Sequence, residues 1–168
     1  MKITHESLLG ILTYSPATGG WVWNTCPGYN KSFRDGTPAG SFDGRYRAIT
    51  IKRKKYLAHR LAWFYMTSEW PKITIDHKNG NTDDNRWDNL REATAAENSR
   101  NCAPRKNKIN PLKGAFEMRD RYRAKRFFSA ICVGGKKHHL GCFFTAEEAH
   151  LAYAAAAVKY FGKFARSE

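Results

Sequence analysis

Apolar and polar positions follow two rhythms along this chain. In LAHRLAWFYMT, Leu57, Leu61, Phe64 and Tyr65 recur at helical spacing, which predicts a helix over 57–67 with one buried face. His59 and Arg60 then fall toward its other side. Before it, Trp21 to Thr25 and Tyr46 to Ile51 read as short strands, the second alternating in part as Tyr46, Ala48 and Ile49 with Ile51. They lie among turn-forming stretches, SPATGG at 15–20, Pro27-Gly28 and FDGRY at 42–46, so a small antiparallel sheet is expected. Pro71 closes the helix, KITID at 72–76 reads as a short strand, and a polar loop runs on through Asn85. Thr94 followed by Glu97 matches a capping box, predicting a second helix from near Ala93 or Thr94 with Asn98 in its first turns.

The pattern changes again past residue 102. Residues 103–112 combine two prolines with several basic side chains and form the best candidate linker. Ala115 to Met118, Tyr122 to Val133 and His138 to Phe144 read as three strands, with Gly134-Gly135 as a hairpin turn. Thr145 and Glu148 form another capping box before an alanine-rich helical run to Tyr160. Phe143, Ala149, Ala152, Tyr153, Ala156 and Tyr160 are the expected core of a three-stranded antiparallel sheet packed on one helix, the small alanines permitting close approach. The class is α+β, in two parts: 1–102 and 113–168.

Charge narrows the partner. Against 15 acidic residues stand 29 Lys and Arg, a formal +14, and residues 101–168 carry 14 of these cations against 5 acids. An anionic partner is the first expectation, though RNA, a membrane surface and DNA satisfy charge equally. No apolar run reaches membrane-spanning length or resembles a signal peptide, so a cytoplasmic protein is expected. Cys26, Cys102, Cys132 and Cys142 form no close CxxC pair, which speaks for idle or buried thiols rather than a structural zinc site.

The densest group of chemically capable residues is IDHKNGNTDDNRWDNLREATAAENSRN, 75–101. Asp76 and His77 are adjacent, Asn89 follows twelve residues after the histidine, and Asn98 nine further on. Phosphodiester hydrolysis needs an activated nucleophile and charge relief at the phosphorus. Asp76 and Asn98 are oxygen ligands suited to one hard divalent ion, Mg²⁺ or Mn²⁺. A neutral His77, with an ordinary pKa of about 6.5, can take the proton of an attacking water. Asn89 can fix the loop or the His77 ring by hydrogen bonding. The same run also reads as an Asx-rich loop in which Asp76, Asn79, Asn81 and Asn85 cap their own backbone.

This stretch closely resembles the HNH endonuclease family, in the branch found among phage and intron-encoded homing enzymes. The resemblance spans roughly residues 8–102 and implies a ββα-metal nuclease domain. It makes Asp76 and Asn98 the metal ligands, His77 the catalytic base and Asn89 the supporting asparagine of the motif. Asn98 stands where many relatives carry histidine, which keeps an oxygen ligand and favours Mg²⁺ or Mn²⁺ over zinc. Residues 111–166 resemble the APETALA/ethylene-response-factor DNA-binding domain in Gly114 to Phe116, Tyr122 with the Arg123 to Ile131 strand, and HHLGCFFTAEEAHLAYAAAAVKYFG at 138–162. Such domains lay a three-stranded sheet in the DNA major groove. Arg119, Arg121, Arg123, Lys125 and Lys137 are the implied contacts, with Arg60 a further candidate on the nuclease side.

Together these imply a metal-dependent endonuclease acting on double-stranded DNA, a homing-type enzyme encoded by a phage and working in the host cytoplasm. One site with one ion cuts one strand per encounter, so a nicking monomer is the simplest form, and double-strand cutting requires a dimer or reorientation. A DNA-binding regulator on an inactive nuclease scaffold is the main alternative, and an RNA-associated structural protein a third.

Overall fold

The computed structural model describes residues 3–24, 36–101, 112–118 and 126–165. It divides into two compact units, Met1–Thr94 and Ala95–Glu168. The division falls after Thr94, whereas the sequence pattern places the domain boundary at 102. The fold is mixed α+β, with several antiparallel sheets.

The first unit opens with helix α1 (His5–Ile11), capped by Thr4, whose hydroxyl accepts from the Ser7 amide. Strands β1 (Leu12–Tyr14) and β2 (Trp21–Trp23) form one antiparallel hairpin. β3 (Ser41–Phe42), β4 (Arg47–Ile51) and β5 (Lys54–Leu57) form a second sheet in the order β3-β4-β5. Helix α2 (Ala58–Thr67) follows β5 directly, and Ser68 ends it in the left-handed conformation. β6 (Thr74–His77) then pairs antiparallel with β7 (Leu90–Ala93), with a 3-10 turn at Trp87–Asn89 between them. The core gathers Leu8, Leu12, Tyr14, Trp21, Trp23, Ile49, Ile51, Leu61, Phe64, Ile75 and Leu90.

The helical spacing read over 57–67 therefore buries Leu61 and Phe64 as expected, but His59 is corrected. It lies on the inward side at 5% exposure, because the apolar stripe of α2 is continued by Ala58 and Ala62 and the small alanines widen the buried face. β7 was not legible: LREA lacks strand alternation, and its four residues are held by their ladder with β6.

The second unit begins with α3 (Ala95–Asn101), close to the position its capping box predicts. β8 (Ala115–Glu117), β9 (Phe127–Val133) and β10 (Lys136–Phe143) make an antiparallel sheet in the order β8-β9-β10, and α4 (Ala146–Phe161) packs on it. Gly134 and Gly135 turn the β9–β10 hairpin at positive φ, 58° and 78°. Thr145 caps α4, its hydroxyl accepting from the Glu148 amide at 3.2 Å. Glu148 reaches back to the amide of Phe144 at 3.1 Å, one residue before the cap. Ala149, Tyr153, Ala157 and Phe161 are the buried stripe. Ala152, Ala156 and Phe143 are half-buried, and Tyr160 is exposed, where it stacks on His138. Tyr160 is thus not core, since the buried positions step by four along α4 and carry the stripe to Phe161 instead. Gly114 has no side chain for a reason: a Cβ there would sit 2.1 Å from the Tyr153 ring. The linker residues 103–111 and the cysteines Cys26 and Cys102 lie outside the described residues. Cys132 is exposed and Cys142 half-buried, both free thiols. Among the described residues no helix is long and apolar enough to cross a membrane.

Candidate active site

His77 is the last residue of β6 and is buried at 4% exposure. Three side chains frame its ring. Asn85 places Oδ1 at 3.4 Å from Nε2. His59 stands edge-on with ring centroids 5.1 Å apart, and Tyr46 stacks at 6.5 Å. The amide nitrogen of Asn85 is already spent, donating to the Asp83 carbonyl at 3.0 Å. Its oxygen is therefore the group offered to His77, so Nε2 carries the proton and donates, and Nδ1 holds the basic lone pair in that tautomer. Burial pushes the His77 pKa below its usual value, outweighing the Asn85 hydrogen bond and the Asp76 and Asp84 charges. The ring is consequently neutral at physiological pH, the state a general base requires.

Asp76, one residue earlier, is also buried, at 5% exposure. The ladder sets Asp76 directly opposite Arg91 on β7, and the guanidinium donates from Nε at 2.9 Å and from Nη2 at 2.7 Å to the same carboxylate oxygen. Alternation along the strand thus sends the Asp76 carboxylate to Arg91 and the His77 ring to α2 and Tyr46.

Between β6 and β7 the chain builds a loop from its own Asx groups. Asn79 Oδ1 accepts from the Asn81 amide at 2.9 Å, and Asn81 Oδ1 from the Asp83 amide at 3.1 Å. These two residues cap their own backbone, as an Asx-rich loop should, and so does Asn85 through Nδ2 to the Asp83 carbonyl; Asp76 reaches instead to Arg91. Asn89 closes the loop. Its Oδ1 accepts from the Asn79 amide at 3.0 Å, and its Nδ2 donates to the Asn79 side chain at 3.0 Å and to the Asp84 carbonyl at 2.7 Å. Of the two roles open to Asn89, loop or His77 ring, these hydrogen bonds are to the loop. Asp84 is fixed by Arg86 and by Asn79, contacts that hold its carboxyl down to about 2. Asp83 takes a two-pronged ion pair from Arg47 of β4, at 2.8 and 3.1 Å, tying the loop to the second sheet.

The N-terminal hairpin braces the same loop. Tyr14 donates its hydroxyl to the Asn85 carbonyl at 2.6 Å, and Trp87 donates its amide to the Pro16 carbonyl at 3.0 Å. Gly19, at φ 72°, lies so close that a Cβ would come within 2.5 Å of the Asn85 and Arg86 backbone.

Sequence reasoning missed Asn85, Tyr46 and Arg91. Asn85 looked like any loop asparagine, Arg91 meets Asp76 across the β6–β7 ladder, and Tyr46 meets His77 from another part of the chain, contacts that no local pattern encodes. It also left His59 on the wrong face. His59 is neutral, its pKa lowered to about 3 chiefly by burial and also by the neighbouring His77 and Arg60. Its Nδ1 is buried without a hydrogen-bond partner, a state that costs about 1–3 kcal/mol.

Arg60 donates to the Pro71 carbonyl at 3.4 Å. Asn98 belongs to α3 in the second unit. Lys137 of β10 is exposed and lies 5.5 Å over the Phe116 ring and 5.2 Å over Phe128, which stack on each other. Arg119, Arg121, Arg123 and Lys125 fall outside the described residues. Among the described residues no three His, Cys, Asp or Glu side chains gather into a group able to hold a metal.

Residues 56–100 match the family model of an HNH endonuclease. The match takes in α2, β6, the Asx loop, β7 and most of α3, and it is consistent with an HNH domain in that part of the chain. No curated protein and no solved structure matches the chain.

Proposed function

We propose that this protein is a metal-dependent DNA endonuclease that hydrolyses one phosphodiester bond of double-stranded DNA, a nicking enzyme of the homing type working in the cytoplasm of a bacterial host. The observation that carries the reading is the buried His77 ring, held neutral by burial and turned by Asn85 so that Nδ1 keeps its lone pair. The family match over residues 56–100 supports it.

In this reading a phosphate lodges at the end of β6, where His77 is the last residue. Nδ1 of His77 takes the proton from the attacking water, and the Nε2–H···Asn85 hydrogen bond steadies the imidazolium that forms. Asn89 holds the loop that carries Asn85, so it acts by position rather than by touching the substrate. Asp76 and Asn98 are the residues that would hold a divalent ion. One carboxylate and one amide oxygen fit a hard ion that keeps several waters, Mg²⁺ or Mn²⁺, better than zinc, which favours nitrogen and sulfur ligands. Such an ion supplies charge neutralisation at the phosphate and leaving oxygen. The second unit serves as a DNA-binding module of the APETALA/ethylene-response-factor kind, in which Lys137 and the cluster Arg119, Arg121, Arg123 and Lys125 contact DNA, with Arg60 adding a contact on the nuclease side. The enzyme acts as a monomer.

The test is wild type against His77→Ala on supercoiled plasmid with Mg²⁺, Mn²⁺ or chelator. Wild type gives open circles only with metal, and the variant binds DNA without nicking it. Equal cleavage by both rejects His77 as the base. Linear product appearing at once, without open circles, rejects nicking. Salt-sensitive binding with no cleavage by wild type in any metal supports the regulator instead.

A further inference from the structure

Strands β4 and β5 are joined by two residues, Lys52 and Arg53, since Ile51 pairs directly with Lys54. Both have positive φ, 47° and 65°. Two successive left-handed residues mark a type I′ hairpin, the turn that Asn-Gly fills easily and that long side chains adopt at a cost. Ser68 is the one other non-glycine residue with positive φ among those described, and it merely ends a helix. The chain therefore sets two long cations where backbone physics favours the smallest residues, a mismatch that is commoner where the residue has work to do.

The four residues 52–55, KRKK, are all exposed. Lys55 is paired with Asp43 at 2.9 Å, and Lys54 lies 5.6 Å over the Tyr56 ring. Lys52 and Arg53, at the tip, have no carboxylate partner among the described residues. The root of the same hairpin enters the candidate site: Tyr46 stacks on His77, Arg47 clasps Asp83, and β5 runs straight into α2 and His59. Five residues of strand, at about 3.3 Å each, carry the tip on the order of 15 Å from that root.

We propose that the β4–β5 hairpin tip is a DNA phosphate contact, in which Lys52 and Arg53 hold the duplex backbone beyond the candidate site. The DNA identity rests on the nuclease reading, but the contact does not depend on cleavage. A rigid two-residue turn presents both side chains past the end of the sheet, where a longer loop would let them fold back.

The decisive variant is Lys52→Asn with Arg53→Gly, which gives the turn its preferred residues while removing the cations. Its thermal midpoint rises above wild type. With chelator present, its affinity for a labelled duplex of mixed sequence falls, and the slope of log affinity against log salt becomes shallower by about 2, one for each lost phosphate contact. A charge-matched control, Lys72→Gln with Lys159→Gln, shifts the slope by less. An unchanged slope, or an equal change in the control, overturns the contact; a lowered midpoint overturns the strain argument behind it. Wild-type protein that fails to nick under any metal sinks the nuclease reading and leaves this binding test standing.

Discussion

Asn85 receives the Nε2–H of His77 on its side-chain oxygen while its backbone carbonyl takes the Tyr14 hydroxyl, so the ring and the N-terminal hairpin meet at one asparagine. Asn85 is 1% exposed and its Nδ2 is committed to Asp83, which leaves it a single way to face the histidine. Asn85→Ala should therefore lower single-turnover nicking by about 10–100-fold, the range for groups that orient a reacting residue, with DNA affinity little changed. Nitrogen-15 spectra of His77 supply the structural readout. Wild type shows the Nε2–H tautomer and the variant a mixture, and an unmixed spectrum with unimpaired nicking would dismiss the role.

Gly19 is a remote lever on the same residue. A methyl group there meets the Asn85 and Arg86 backbone at 2.5 Å, and the left-handed φ of 72° penalises any side chain independently. Gly19→Ala must displace the segment that carries Asn85. The expected result is a loss of about 1–3 kcal/mol in urea unfolding, in the range for overpacking and strain. Nicking by the molecules that remain folded is slower too. Gly10→Ala is the comparison, because nothing lies within 4 Å of a Cβ at that position. Equal behaviour of the two variants would show that the turn yields freely.

How far the sequence could be read follows from which forces are local. Helix α2, the β9–β10 turn and the Thr145 cap were visible because spacing, paired glycines and a capping box act within a few residues. The adjacency of Asp76 and His77 was likewise plain, and so was the polar loop after them. What escaped was set by distant partners. β7 exists through its ladder with β6, Arg91 meets Asp76 across that ladder, and His59 turns inward because Tyr46 and His77 come to it from other elements. Each of these contacts joins residues at least 13 apart, beyond any periodicity read along the chain.

His59 should make the fold acid-sensitive. Its pKa is lowered to about 3 in the folded chain against an ordinary 6.5. Below pH 6.5 the unfolded chain takes up a proton that the folded chain refuses until about pH 3. The stability this group contributes is thus full above pH 6.5 and declines as pH falls through that window. The slope from this one group is at most about 1.4 kcal/mol per pH unit. Urea midpoints at pH 7 and pH 5 test the point with His59→Gln, whose own cost does not depend on pH. The variant should lose less between the two pH values than wild type does, and parallel losses would mean that His59 is not the group refusing the proton.

Arg91 presents the sharpest question about Asp76. Its guanidinium donates from Nε and from Nη2 to one carboxylate oxygen, and the two side chains are 11% and 6% exposed. Removing one partner of a buried pair typically costs about 3–5 kcal/mol, because the other charge stays buried. Arg91→Ala should therefore be strongly destabilised, and Arg91→Ala with Asp76→Asn less so than the single variant. A divalent ion offers the stranded carboxylate a replacement cation, so millimolar Mg²⁺ should raise the melting midpoint of Arg91→Ala by more than it raises wild type, and should do little for the double variant. If Mg²⁺ shifts all three proteins alike, Asp76 is not the carboxylate that the ion meets, and the guanidinium pair is structural alone.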